Sequence, residues 1–128
     1  MIIRIWHGWT DPVDADAYQQ LLETDIVPAI LARNIPGLHH LDVLRREADG
    51  DEVEFVTLMW FDGWSAVEAF VGERVTTSVV PDTARRLLRR YDADSHHYDL
   101  VGRHPSGSVG LAVDKPTRRE QQLQAHRQ

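Results

Sequence analysis

The chain opens on an apolar stretch, Ile2-Ile3-Arg4-Ile5-Trp6-His7, that runs into Gly8-Trp9-Thr10-Asp11-Pro12, which predicts a first strand ending in a loop. From about Asp14 the spacing changes. Tyr18, Leu21, Leu22 and Ile26 repeat at helical intervals among Gln19, Gln20, Glu23 and Asp25, so a helix follows, and Pro28 is expected to kink or end it. Residues Leu38 to Glu47 alternate in part, and Ala48-Asp49-Gly50-Asp51 is a strong hairpin turn, because Asp-Gly tolerates positive φ. The next strand, Glu52 to Phe61, contains the nearly unbroken apolar run Phe55 to Phe61 and is expected to be buried on both faces.

Asp62-Gly63-Trp64 breaks that strand, and Ser65-Ala66-Val67-Glu68 has the form of a capping box, which predicts a helix from Ser65 to about Gly72. Pro81-Asp82 opens a second helical segment in which Ala84, Leu87, Leu88 and Tyr91 repeat at helix spacing. Ser95 to Val101 reads as a last strand. The order β-α-β-β-α-β defines an α+β, ferredoxin-like domain over residues 1–102, an antiparallel four-stranded sheet in spatial order 4-1-3-2 with both helices on one face. The other face needs a cover, and a second copy of the chain is the simplest one, giving a dimeric α+β barrel. Residues 103–128 turn polar and form a C-terminal extension outside the core.

Composition narrows the chemistry. With no cysteine there is no disulfide, thiolate metal site or cysteine nucleophile, which fits a reducing compartment. The first apolar run is too short for a signal core or a membrane span, so a cytoplasmic protein without a membrane partner is expected. Residues 1–102 carry 9 Lys/Arg against 18 Asp/Glu and residues 103–128 carry 5 against 2, so the acidic body repels nucleic acid.

Three segments carry a resemblance. Met1-Ile2-Ile3-Arg4-Ile5-Trp6-His7-Gly8, the run Leu58-Met59-Trp60-Phe61 leading into Ser65 to Glu73, and His97-Tyr98-Asp99-Leu100-Val101 together resemble the antibiotic biosynthesis monooxygenase family of dimeric α/β-barrel proteins, over about residues 1–102. The motifs are structural more than catalytic. What the resemblance implies is a homodimer with a pocket in each subunit between sheet and helices. The family includes oxygenases of aromatic polyketides that need no cofactor, and haem-degrading enzymes. The Trp and His that mark haem degradation would fall near Phe70 and Val80, and neither residue matches, which argues against haem.

Taking the first strand as parallel to the third, the topology gathers Trp6, His7, Trp9, Trp60, Phe61, Trp64, His96 and His97 near one sheet edge. This is a grouping suited to a flat aromatic substrate, although tryptophans at strand ends also serve simply to cap a core. His7 and one of His96 or His97 are the expected general bases, since imidazole accepts a proton near neutral pH; a strand histidine with a purely structural hydrogen bond is the bland alternative. Trp6, Trp60, Trp64, Phe70 and Arg86 are the expected substrate contacts. Arg86 belongs to a basic helical stripe with Arg85, Arg89 and Arg90 that is either a solvated face or an anion clamp. Tyr18 and Tyr98 read as core.

No metal site is expected. The pairs His39-His40 and His96-His97 cannot chelate through both rings, because strand neighbours point to opposite faces. The leading expectation is thus a small monooxygenase or tailoring enzyme without cofactor, with molecular oxygen as co-substrate and an aromatic polyketide-like compound as substrate. A cyclase or isomerase on a related intermediate, or a non-catalytic dimer that binds a small aromatic molecule, are its alternatives.

Overall fold

A computed structural model describes residues 1–48, 50–72 and 76–107. Strand β1 (Ile2–Thr10) leads into helix α1 (Pro12–Leu21), a π-helical turn (Leu22–Ile26) and α2 (Val27–Ala32). The hairpin β2 (Leu38–Glu47) and β3 (Val53–Phe61) follows, then α3 (Trp64–Val71), a single turn α4 (Asp82–Arg85), and the short strands β4 (Leu88–Tyr91) and β5 (His96–Asp99). This is the ferredoxin-like α+β arrangement expected. The sheet runs β2-β3-β1, and β4 and β5 share the remaining edge of β1, with β5 beside Ile2–Ile5 and β4 beside Gly8–Thr10.

Every neighbouring pair of strands is antiparallel, which corrects one sequence expectation. Ile2 lies opposite Phe61 and Thr10 opposite Val53, so the end of β1 meets the beginning of β3. A helix between β1 and β2 returns the chain to run β2 along β1, and the hairpin then reverses β3. The eight-residue aromatic and histidine grouping therefore divides: Trp9 sits at one end of the sheet, opposite Glu54, and Trp60 at the other, opposite Ile3.

Three local expectations also change. Pro28 lies in the first turn of α2, where its missing N–H is tolerated, directly after a π turn in which the Val27 N–H reaches back to the Leu22 carbonyl. Leu87 to Tyr91 leave the helix after one turn, and Leu88–Tyr91 pairs with the end of β1, where strand hydrogen bonds outweigh helical spacing. Consequently there is no four-arginine helical stripe: Arg89 and Arg90 are strand residues. The capping box at Ser65 does not form either. Helix α3 starts at Trp64 behind Gly63, with no side-chain cap. Gly72, at φ 73°, ends it as expected.

Alternation in β1 is strict. Ile2, Arg4, Trp6, Gly8 and Thr10 are buried under the helices, while Ile3, Ile5, His7 and Trp9 lie half-buried on the open face. The helix side holds two packed clusters. One joins Ile2, Met59 and Phe61 to Val67 and Phe70 of α3; the other joins Trp6, Val53 and Phe55 to Ala15 and Tyr18 of α1. Gly8 makes the second cluster possible, because a Cβ there would come within 2.5 Å of the Trp6 ring. No helix among the described residues is long and apolar enough to cross a membrane. Residues 103–107 of the extension are exposed, and residues 108–128 lie outside the described residues.

Candidate functional site

Between the two packed clusters, where the helices part from the sheet, lies a half-open cleft with a cavity volume of about 60 Å³. The π-helical turn and α2 supply one aliphatic wall through Leu22, Ile26, Val27 and Ile30. Trp6, Thr57 and Met59 rise from the sheet, and Val79, Val80 and Pro81 close the side before α4. The π turn belongs to this wall through Leu22 and Ile26.

Polar groups in the cleft are few and held. Trp6 Nε1 donates to the Asp92 carbonyl at 2.9 Å, and Ser78 Oγ donates to the same oxygen at 2.7 Å. Tyr18 packs edge-on against Phe55, and burial pushes its phenol above the ordinary value, so it stays protonated. Arg4 is the charged group of the lining. It is 3% exposed; its Nη2 donates to the Thr77 carbonyl at 2.9 Å, and its guanidinium lies 5.5 Å from the Phe70 ring centroid. Burial lowers its pKa to about 10, which leaves it a cation at neutral pH.

Arg4 Nη1 also lies 3.0 Å from His97 Nε2. A guanidinium nitrogen only donates, so Nε2 accepts and the ring proton sits on Nδ1. Burial first, then the Arg4 charge and that of His96, hold the His97 imidazole below its ordinary pKa. A neutral His97 thus backs the cation of the cleft.

The structure separates the candidate residues by strand parity. Trp6 and Phe70 line the cleft, and His97 stands one hydrogen bond behind it through Arg4. Trp64, 50% exposed at the start of α3, packs its ring 5.1 Å from that of His97 but is not part of the lining. Trp60 faces the opposite side of the sheet, where Nε1 donates to Asp42 Oδ2 at 2.9 Å beside the His40 ring. Arg86 is an exposed residue just past α4, outside the cleft.

His7 is also on the open face. Its Nδ1 lies 3.0 Å from Asp92 Oδ2 and its Nε2 3.9 Å from Glu54 Oε2, with its ring stacked on Trp9. His96 shares that face at its exposed edge. His39 pairs with Asp62 and His40 with Asp42, and no group of three or more metal-ligating side chains occurs among the described residues.

Arg4, Tyr18 and Ser95 are lining residues that sequence reasoning missed. Arg4 left a signal: it is an arginine inside an isoleucine-rich strand, two residues from Trp6 and so on the same face. Ser95 left none, because its burial depends on the turn between β4 and β5, where its N–H reaches the Thr76 carbonyl.

Neither a family model nor a curated protein sequence matches the chain. Its fold is similar to that of a crystal structure of a candidate antibiotic biosynthesis monooxygenase from Bacillus cereus, with a TM-score of 0.58 over 82% of this chain and 97% of that one. The two sequences are 9% identical, so the likeness shows a shared fold and nothing of activity.

Proposed function

We propose that this protein is a small monooxygenase or tailoring enzyme that takes an aromatic polyketide-like compound into the cleft and uses molecular oxygen without metal or flavin. The observation that carries the reading is the cleft itself: apolar walls with the Arg4 guanidinium in the lining and a neutral histidine one hydrogen bond behind it. His97 is the proposed base. Its Nε2 takes the acidic proton of the bound substrate as the Arg4 hydrogen bond transfers from that nitrogen to the substrate oxygen.

The substrate anion gives one electron to dioxygen, and the resulting pair recombines at the activated ring carbon as a hydroperoxide. Loss of water then leaves a carbonyl. The balance is a ring CH₂ plus O₂ giving C=O plus H₂O, with one oxygen atom in the product. Trp6 and Phe70 supply the ring contacts, as proposed for an aromatic guest. His7 and His96, on the other side of the sheet, have no part in this scheme.

The protein is further proposed to work as a homodimer through the open sheet face. There Ile3, Ile5, Val56 and Leu58 form a half-buried apolar patch. The test is incubation with anthrones and hydroquinones, with and without oxygen, followed by quinone absorbance. Oxygen-dependent turnover that falls about 10²- to 10⁴-fold in His97→Ala is expected. Absence of turnover across the panel, or turnover indifferent to His97→Ala, would overturn it.

One observation favours a second reading, a non-catalytic dimer that binds a small aromatic molecule. The His97 lone pair is already engaged by Arg4, as suits a fixed recognition group. Tight binding without oxygen uptake would select it.

A further inference from the structure

We propose that Ser95 determines the specificity of the cleft: its ligand is a small, mainly apolar aromatic molecule bearing a neutral ring hydroxyl, which donates a hydrogen bond to Ser95 Oγ. This deepens the proposed function and rests on its choice of the cleft as the ligand site.

Ser95 immediately precedes β5, next to the pairing of His96 with Ile5, so it meets the sheet beside Trp6, whose other neighbour across the sheet is Thr57. All three line the cleft. Thr57 is half-buried and keeps some access to solvent, whereas Ser95 is 3% exposed. A hydroxyl buried to that degree has to find its hydrogen bonds within the protein or on a guest.

Within the protein they are incomplete. A serine hydroxyl donates one hydrogen bond and can accept two. Ser78 Oγ donates to the Asp92 carbonyl at 2.7 Å, which uses its single proton. Between Ser78 and Ser95, whose hydroxyl oxygens are 3.4 Å apart, Ser95 is therefore the donor and Ser78 the acceptor. That separation is longer than an ordinary O–H···O bond. Trp6 Nε1, the indole donor beside them, also goes to the Asp92 carbonyl. No donor among the described residues reaches Ser95 Oγ, so its lone pairs are left for a guest in the cleft that Ser95 lines. The walls formed by Val79, Val80 and Pro81 are apolar, so a ring can pack there while its hydroxyl meets the serine. Thr10 Oγ1, a buried hydroxyl without a partner among the described residues, lies outside the lining and cannot take this part.

The experiment is calorimetric titration of the full chain at neutral pH with three one-ring probes: p-cresol, p-methylanisole and p-xylene. The first offers a donor, the second only an acceptor, the third neither. In an apolar site with no acceptor the hydroxyl counts against p-cresol, because it leaves water without replacement. The native protein should nevertheless bind p-cresol about fivefold or more tighter than either of the other two.

Ser95→Ala should reverse that order, making p-xylene at least as tight as p-cresol while p-xylene itself binds as before. Thr57→Val, which keeps the shape of the floor, should leave the preference for p-cresol in place. Binding of p-xylene or p-methylanisole that equals p-cresol on the native protein, absence of binding by all three, a preference that survives Ser95→Ala, or one that is lost in Thr57→Val overturns the inference. If Ser95→Ala does not fold, the order of the probes on the native protein and on Thr57→Val decides. The readout is binding, so it separates from catalysis: Ser95-dependent binding without turnover leaves this inference standing and removes the oxygenase, and turnover without a hydroxyl preference does the reverse.

Discussion

The two faces of one sheet carry opposite kinds of chemistry. Under the helices, even-numbered positions of β1 hold Ile2, Arg4 and Trp6; the Arg4 guanidinium meets the Thr77 carbonyl and the His97 ring, and Trp6 Nε1 donates to the Asp92 carbonyl. On the open face the odd positions hold Ile3, Ile5, His7 and Trp9; His7 Nδ1 lies 3.0 Å from Asp92 Oδ2, and charges pair with charges in Arg46 with Glu54 and in Glu52 with Arg90, whose guanidinium stacks 3.8 Å from the Trp9 ring. A half-exposed surface tolerates many ion pairs because each costs and contributes little.

That contrast is broken most directly at β3, where Phe61 faces the helices and Leu58 the open side. Phe61 is 0% exposed in the α3 cluster, and Phe61→Ala should cost about 3–5 kcal/mol in urea unfolding. A loss below about 1 kcal/mol would show that the cluster repacks freely, contrary to a core of this density. Gly8→Ala comes next. The new Cβ would meet the Trp6 ring at 2.5 Å and Leu88 Cδ2 at 3.0 Å, so a loss of about 1–3 kcal/mol is expected, together with weaker ligand binding as Trp6 is pushed into the cleft. Unchanged stability would mean that the ring has room the packing does not show.

The open face should respond differently. Leu58→Asp is expected to change monomer stability by no more than about 0.5 kcal/mol and leave the circular dichroism intact, while sedimentation shifts from dimer to monomer. A native protein that sediments as a monomer, or a Leu58→Asp protein that remains a dimer, would refute this face as the self-association surface.

The sequence patterns made the strand order and the helix-covered sheet legible, because period-2 runs such as Ile2 to Trp6 and the Asp-Gly turn before β3 are local signals. Parity was legible too: His7 had to share a face with Ile3 and Ile5, and Trp6 with Arg4. Which parity the helices cover was not, since both sets are apolar and only the packing of α1 and α3 decides between them. Strand direction decided the rest. Trp60 and Trp9 are drawn together or set at opposite ends of the sheet by a single reversal at the hairpin. Leu88 to Tyr91 deceived helical spacing because edge pairing to β1 supplied backbone partners that the spacing cannot register.

The smallest expected effect tests whether His97 is the neutral partner of Arg4. Its folded pKa is lowered from 6.5 by burial, then by Arg4, then by His96. An unfolded chain protonates this imidazole near pH 6.5, whereas the folded protein resists. Stability therefore holds above that pH and declines as the pH falls below it, until the folded His97 also takes a proton. Solvent reaches part of the ring, which keeps the slope below the one-proton ceiling of about 1.4 kcal/mol per pH unit. His97→Gln retains an acceptor for Arg4 but cannot titrate, so urea unfolding between pH 5 and 7.5 should show a shallower acid decline than the native protein. Parallel declines would mean that His97 titrates alike folded and unfolded; Arg4 would then have no hold on its proton, and the base of the proposed reaction would have to be sought among the histidines of the other face.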